Sequence, residues 1–194
     1  MKPTSAVLML FISFLATICA PEEDIANFES ITNNTIISIE DDATTFNVGE
    51  TIVIETVIDN IQTTINNETI TLTDYTNGAE QAQFDVFLFT ETLGDYLTVT
   101  LSSDDIVATE GDVTITGSAI NVISTFDGNQ FKSKFSITLN ETGTFYLSGS
   151  GLASNSAFGL ITVSIGSSND FRFVDINTRI VNSDEQAKYT ITVN

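Results

Sequence analysis

The sequence holds no histidine and no tryptophan, one cysteine, two prolines and six basic residues in 194. Each scarcity excludes something. Without histidine there is no Ser-His-Asp or Cys-His nucleophilic site, and the common zinc and copper ligand sets are missing. A lone cysteine cannot close an internal disulfide. Pro3 and Pro21 both stand near the N-terminus, so no proline-rich linker divides the chain beyond residue 21. Neither a phosphate-binding P-loop nor a dinucleotide-binding glycine pattern occurs. Bases are scarce against 26 acids, which leaves a formal net charge of -20. A surface so charged repels phosphate backbones, which argues against nucleic acid as a partner. Residues 20–131 carry no lysine or arginine at all but 21 acids, and the later bases are Lys132, Lys134, Arg172, Arg179 and Lys188.

What is present favours a packed β domain. Hydrophobic residues make up 42% of the chain and include 14 phenylalanines, enough apolar side chain for a core. Short runs rich in Ile, Val, Thr and Phe alternate with Gly, Asn and Asp, the pattern of strands and turns. The runs predict strands at 35–40, 51–59, 68–74, 83–90, 96–101, 112–117, 119–125, 130–139, 144–148, 160–165, 171–181 and 187–193. Phe131, Ser133, Phe135, Ile137 and Leu139 face one way, with Lys132, Lys134, Ser136 and Thr138 on the other side. Tyr189, Ile191 and Val193 alternate similarly with their neighbours. This period of two predicts antiparallel sheets packed as a sandwich. The segment Phe84-Asp85-Val86-Phe87-Leu88-Phe89 is apolar on both faces and reads as a central strand. Turn signals stand at Asn77-Gly78, Leu93-Gly94-Asp95, Glu110-Gly111-Asp112 and Asp127-Gly128-Asn129.

The N-terminus reads as an export signal. Met1 and Lys2 precede an apolar run at residues 6–18 that is too short to span a bilayer, and Cys19 comes directly after it. The segment Leu15-Ala16-Thr17-Ile18-Cys19 resembles a bacterial lipobox, with Ile18 where a small residue is usual. Pro21-Glu22-Glu23-Asp24 then resembles the acidic export signal of surface-exposed lipoproteins in Bacteroidetes such as flavobacteria. The resemblance implies lipidation at Cys19, a cell-surface location on the outer membrane, and membrane attachment through that lipid. It sets a signal peptide at 1–18 and an acidic tether at 19–32; the lack of a Pro- or Ser-rich linker beyond them favours one domain at 33–194, with a division near residue 118, where the charge pattern changes, as the alternative. A second resemblance lies at Glu141-Thr142-Gly143-Thr144-Phe145-Tyr146-Leu147. It is similar to the corner before a late strand of immunoglobulin-like domains, with Phe145 at the usual tyrosine position and Tyr146 one later.

Candidate sites are few. Calcium suits carboxylate-bearing loops, and Asp104, Asp105 and Asp127 are the candidate ligands, along with Asp41-Asp42, though none has EF-hand spacing. No other cofactor is expected. Sequons at Asn33, Asn67 and Asn140 are what a Thr- and Asn-rich chain yields by chance. Paired acids could serve a glycosidase, but nothing singles out a pair. The expectation is therefore a non-enzyme: a surface-displayed binding or structural module. A carbohydrate- or peptide-binding accessory role is the alternative, with Tyr75, Tyr96 and Tyr146 as stacking platforms, and an acidic hydrolase stands behind it.

Overall fold

The computed structural model describes residues 28–154, 158–167 and 171–194. Its strands are β1 (Phe28–Thr32), β2 (Ile37–Ile39), β3 (Thr45–Phe46), β4 (Thr51–Asp59), β5 (Ile61–Thr63), β6 (Thr69–Thr71), β7 (Gln81–Thr92) and β8 (Asp95–Thr98). They continue with β9 (Ile106–Glu110), β10 (Asp112–Thr116), β11 (Ala119–Phe126), β12 (Gln130–Thr138), β13 (Gly143–Ser148), β14 (Ile161–Gly166), β15 (Phe173–Thr178) and β16 (Tyr189–Val193). One α-helical turn, α1 (Leu72–Tyr75), and three short 3-10 segments complete the described elements. The protein is all-β.

The main hydrogen-bonded order is β1-β15-β14-β7-β11-β12-β4-β2. Strands β11 and β12 share only two register pairs, Thr125 with Lys132 and Phe126 with Phe131. The ladder folds over at that point, so its inner faces close on one another. A parallel bridge joins Ile37 of β2 to Ile180, two residues past the end of β15. Between the layers lies one continuous core that includes Ile52, Ile54 and Ile58 of β4, Phe131 and Phe135 of β12, Val122 of β11 and Ile176 of β15. Each such side chain contributes about 1.5–3 kcal/mol on burial, so this core is the main stabilising term. The alternation expected for β12 and β16 is the one observed: odd-numbered positions are buried, even-numbered ones are not.

Strand β7 is the centre of the molecule. Its first half pairs with β11 and β14, its second half with β13 and β8. The expected two-faced apolarity has a concrete cause. Phe84, Val86 and Leu88 enter the main core, while Phe87 and Phe89 point outward. The 3-10 segment Ser150–Ser154 packs on β7 and β8 there, and Leu152 and Phe89 are buried outside the main core. Leu93 and Gly94, both at positive φ, form the two-residue β7–β8 turn, the geometry that matches strand twist.

Several boundaries differ from those expected. The last five residues of the expected tether are β1, paired in parallel with β15, because Ile31 can be buried there. A second parallel pair joins β16 to β3, so the sheets are not wholly antiparallel. The run at 68–74 breaks after Thr71 into α1, where Leu72 turns into the core. Residues 106–110, outside the expected strands, are β9, a mostly exposed strand. Residue 118 lies in the turn between β10 and β11, which pair across it from Thr116–Ala119 to Asp112–Ile123, so the sheet is continuous through the alternative boundary.

Candidate binding cleft and the acidic loops

The candidate calcium ligands are dispersed. Asp104 and Asp105 sit in the 3-10 turn between β8 and β9, whereas Asp127 opens the β11–β12 hairpin. The Asp127 carboxylate accepts from the amides of Asn129 (2.9 Å) and Gln130 (2.8 Å) and pairs with Lys132 at 2.9 Å. The Lys132 ammonium, then the two amides, hold its pKa down to about 2. Its lone pairs serve the turn. Among the described residues no group of three or more His, Cys, Asp or Glu is placed to hold a metal ion. Cys19 lies outside the described residues.

Asp105 has a different setting. Its carboxylate accepts from the Ser102 amide at 3.1 Å, closing a capping box around the turn, and from Asn140 Nδ2 at 2.9 Å. The second bond ties the β8–β9 connection to the β12–β13 connection, 35 residues further on. Between these loops opens a cleft of about 150 Å³, walled by Val99, Leu101, Leu139 and Phe145 and edged by Asp105, Asn140 and Glu141. Phe145, one of its walls, is 8% exposed. Apolar walls together with two carboxylates and an amide suit a ligand with an aliphatic stem and a cationic or amide head, and the acidic surface draws cations toward it. Of the residues singled out from sequence as calcium ligands, only Asp105 belongs here. Leu101, Asn140 and Phe145 are missed as site residues, because two loops distant in sequence build the cleft.

Two of the three tyrosines expected as stacking platforms, Tyr96 and Tyr146, are otherwise engaged. Tyr96 and Tyr146 meet edge to face with ring centroids 5.5 Å apart. Lys188 Nζ donates to Tyr96 Oη at 2.7 Å and lies 4.9 Å from the Tyr96 centroid and 5.4 Å from that of Tyr146. Partial burial opposes the Lys188 charge, but the Tyr96 hydroxyl and the nearby Asp184 carboxylate outweigh it and raise the ammonium pKa. Tyr146 donates to Glu91 at 3.1 Å, and burial, then this carboxylate, raises its pKa. The tyrosine corner therefore does not form: Tyr146 turns outward and Phe145 inward.

At the sequons, the side-chain amide of Asn33 donates to Gln62 and that of Asn140 to Asp105.

No protein-family model matches the sequence, and no curated protein matches it. Among solved structures, the type II cohesin dyad from the adaptor ScaA scaffoldin of Acetivibrio cellulolyticus is similar, with a TM-score of 0.40 and 12% identity. The match covers 84% of this chain and 49% of that one, so this chain spans about half its length.

Proposed function

We propose that the protein is a non-catalytic binding module, held at a bacterial cell surface by a lipid on Cys19 and presenting the cleft to a partner. The observation that carries this reading is the polarity of the domain. Phe28, the first described residue, lies on the β15–β14 end that adjoins the start of β7, through the register pairs Phe28–Phe173, Gly166–Phe173 and Ile165–Ala82. The cleft lies at the opposite end, past Thr138 of β12 and the first residues of β13. A module anchored through its N-terminus would thus hold the cleft outward, away from the membrane. The lipid supplies the attachment, at ~0.8 kcal/mol per buried CH₂, and the fold supplies display.

The lining of the cleft supports one partner chemistry, a lysine- or arginine-bearing protein surface whose side-chain stem would meet Leu101 and Phe145 and whose charge would meet Asp105 and Glu141. Two measurements test the proposal. Palmitate labelling and detergent partitioning should depend on Cys19; a Cys19→Ala chain that stays equally membrane-bound would overturn the anchor. Short peptides carrying one lysine or one arginine should shift the amide resonances of Leu101 and Asn140, and Glu141→Gln should weaken that response. Equal response to peptides lacking a basic residue would remove the cationic partner.

A further inference from the structure

We propose that the end of the domain nearest the tether rests on the membrane surface through Phe28, Phe171 and Phe173, fixing the orientation of the domain rather than leaving it to swing on its tether. The proposal rests on the lipid anchor at Cys19.

The outer face of β14, β15 and β1 is laid out in rungs. One rung is Thr162, Asn177 and Thr32, and the next is Ser164, Asp175 and Ser30. Both are polar and bonded, with Thr162 Oγ1 donating to Asn177 at 3.1 Å, Ser164 Oγ donating to Asp175 at 2.6 Å, and Asn177 Nδ2 donating to Ser30 at 3.3 Å. The last rung breaks the pattern: it is Gly166, Phe173 and Phe28. A side chain at Gly166 would collide with the Phe173 ring, so the glycine is the bed on which that ring lies. Phe28 is 58% exposed, Phe171 63% and Phe173 39%.

Adjacent exposed phenylalanines on a polar face mark an interaction surface. The position of the chain outside the described residues identifies the occupant. Cys19 stands nine residues before Phe28, a span of at most about 32 Å even when fully extended. A lipid at Cys19 holds this rung within tether length of the headgroups, and a contact made within one anchored molecule needs little affinity of its own. Seating this end also points the far end of β7 toward water. From Gln81 to Thr92, β7 runs about 37 Å away from the rung, using roughly 3.4 Å per residue.

The test uses the full lipid-anchored chain reconstituted in phosphatidylethanolamine–phosphatidylcholine vesicles. A single spin label is placed at Ser164→Cys, one rung from the patch, or at Leu93→Cys, the exposed tip beyond β7. Mass spectrometry of the N-terminal peptide first establishes the lipid. The proposal expects the ratio of oxygen to nickel-chelate accessibility to be several-fold higher at position 164 than at 93. Phe28→Ser with Phe173→Ser should abolish the difference while the chain stays vesicle-bound, and Phe28→Leu with Phe173→Leu should retain it. A lipidated chain whose two labels are equally water-exposed overturns the proposal and leaves the anchor standing. Low accessibility to both reagents at 164, with spin–spin broadening, assigns the patch to a second copy and overturns it also. Absence of the lipid overturns the anchor and the proposal together.

Discussion

Lys188 and Tyr96, 92 residues apart, are joined by a 2.7 Å hydrogen bond, and the same ammonium faces both the Tyr96 and Tyr146 rings. The lysine side chain is 13% exposed. Charge-assisted hydrogen bonds and cation–π contacts are stronger where water is partly excluded. Lys188→Met keeps the stem and removes the charge, and it should destabilise by about 1–2 kcal/mol. Tyr96→Phe keeps the ring and should cost less. Thermal melts check both. An unchanged melting temperature for Lys188→Met would show that desolvation cancels the attraction.

Gly111 should be far less replaceable than Gly94. Both have positive φ, +73° and +88°, so alanine strains the backbone at either site by about 1 kcal/mol. At Gly94 the space is open. At Gly111 a Cβ would collide with the Ile123 carbonyl oxygen and stand 2.9 Å from Ser133 Cβ. This glycine is the corner at which the chain passes from β9, paired with β12, to β10, paired with β11. Gly111→Ala should cost at least about 2 kcal/mol more than Gly94→Ala in denaturant unfolding, since the neighbouring backbone cannot yield without breaking the ladder. Equal costs would mean the corner is pliable.

Asp127 should titrate near pH 2 in the folded protein, against an ordinary value of 3.8. A depressed folded pKa contributes stability that is present above the unfolded value and lost as pH falls through the folded one. The contribution of Asp127 is therefore complete above about pH 4 and disappears toward pH 2. Carboxyl carbon resonances followed against pH measure this. Lys132→Gln should move the Asp127 midpoint upward, because the lysine is the largest cause of the depression. With the lysine and two amides on the carboxylate, millimolar calcium should leave the Asp127 midpoint where it is. A calcium-dependent shift would restore the loop as a cation site.

Much of the domain could be read from residue order alone, for one physical reason. Side chains on a strand alternate with a period of two, and burial follows that alternation. Phe131, Phe135 and Ile137 thus declared their inward face, and Tyr189, Ile191 and Val193 theirs. The turns at Leu93-Gly94 and Asp127-Gly128-Asn129 were legible because left-handed backbone and Asx capping are local properties. The scarcity of bases set the acidic field, and the run before Cys19 set the expectation of a lipid.

Pairing partners are not local, and only the tertiary structure chose them. Nothing around Ile31 marks it as a parallel neighbour of Ile176, since the bond energies of one pairing differ little from another until the core selects it. Strand β9 was hidden because four of its five side chains remain exposed, leaving no alternation to see. Asp105 was one acid among many until Asn140 came across to it and the two loops enclosed the cleft. Phe28 and Phe173 look in sequence like ordinary core residues. They end up exposed because the strand phase that buries Ile31, Val174 and Ile176 points the alternate positions outward, and a two-residue period cannot bury both.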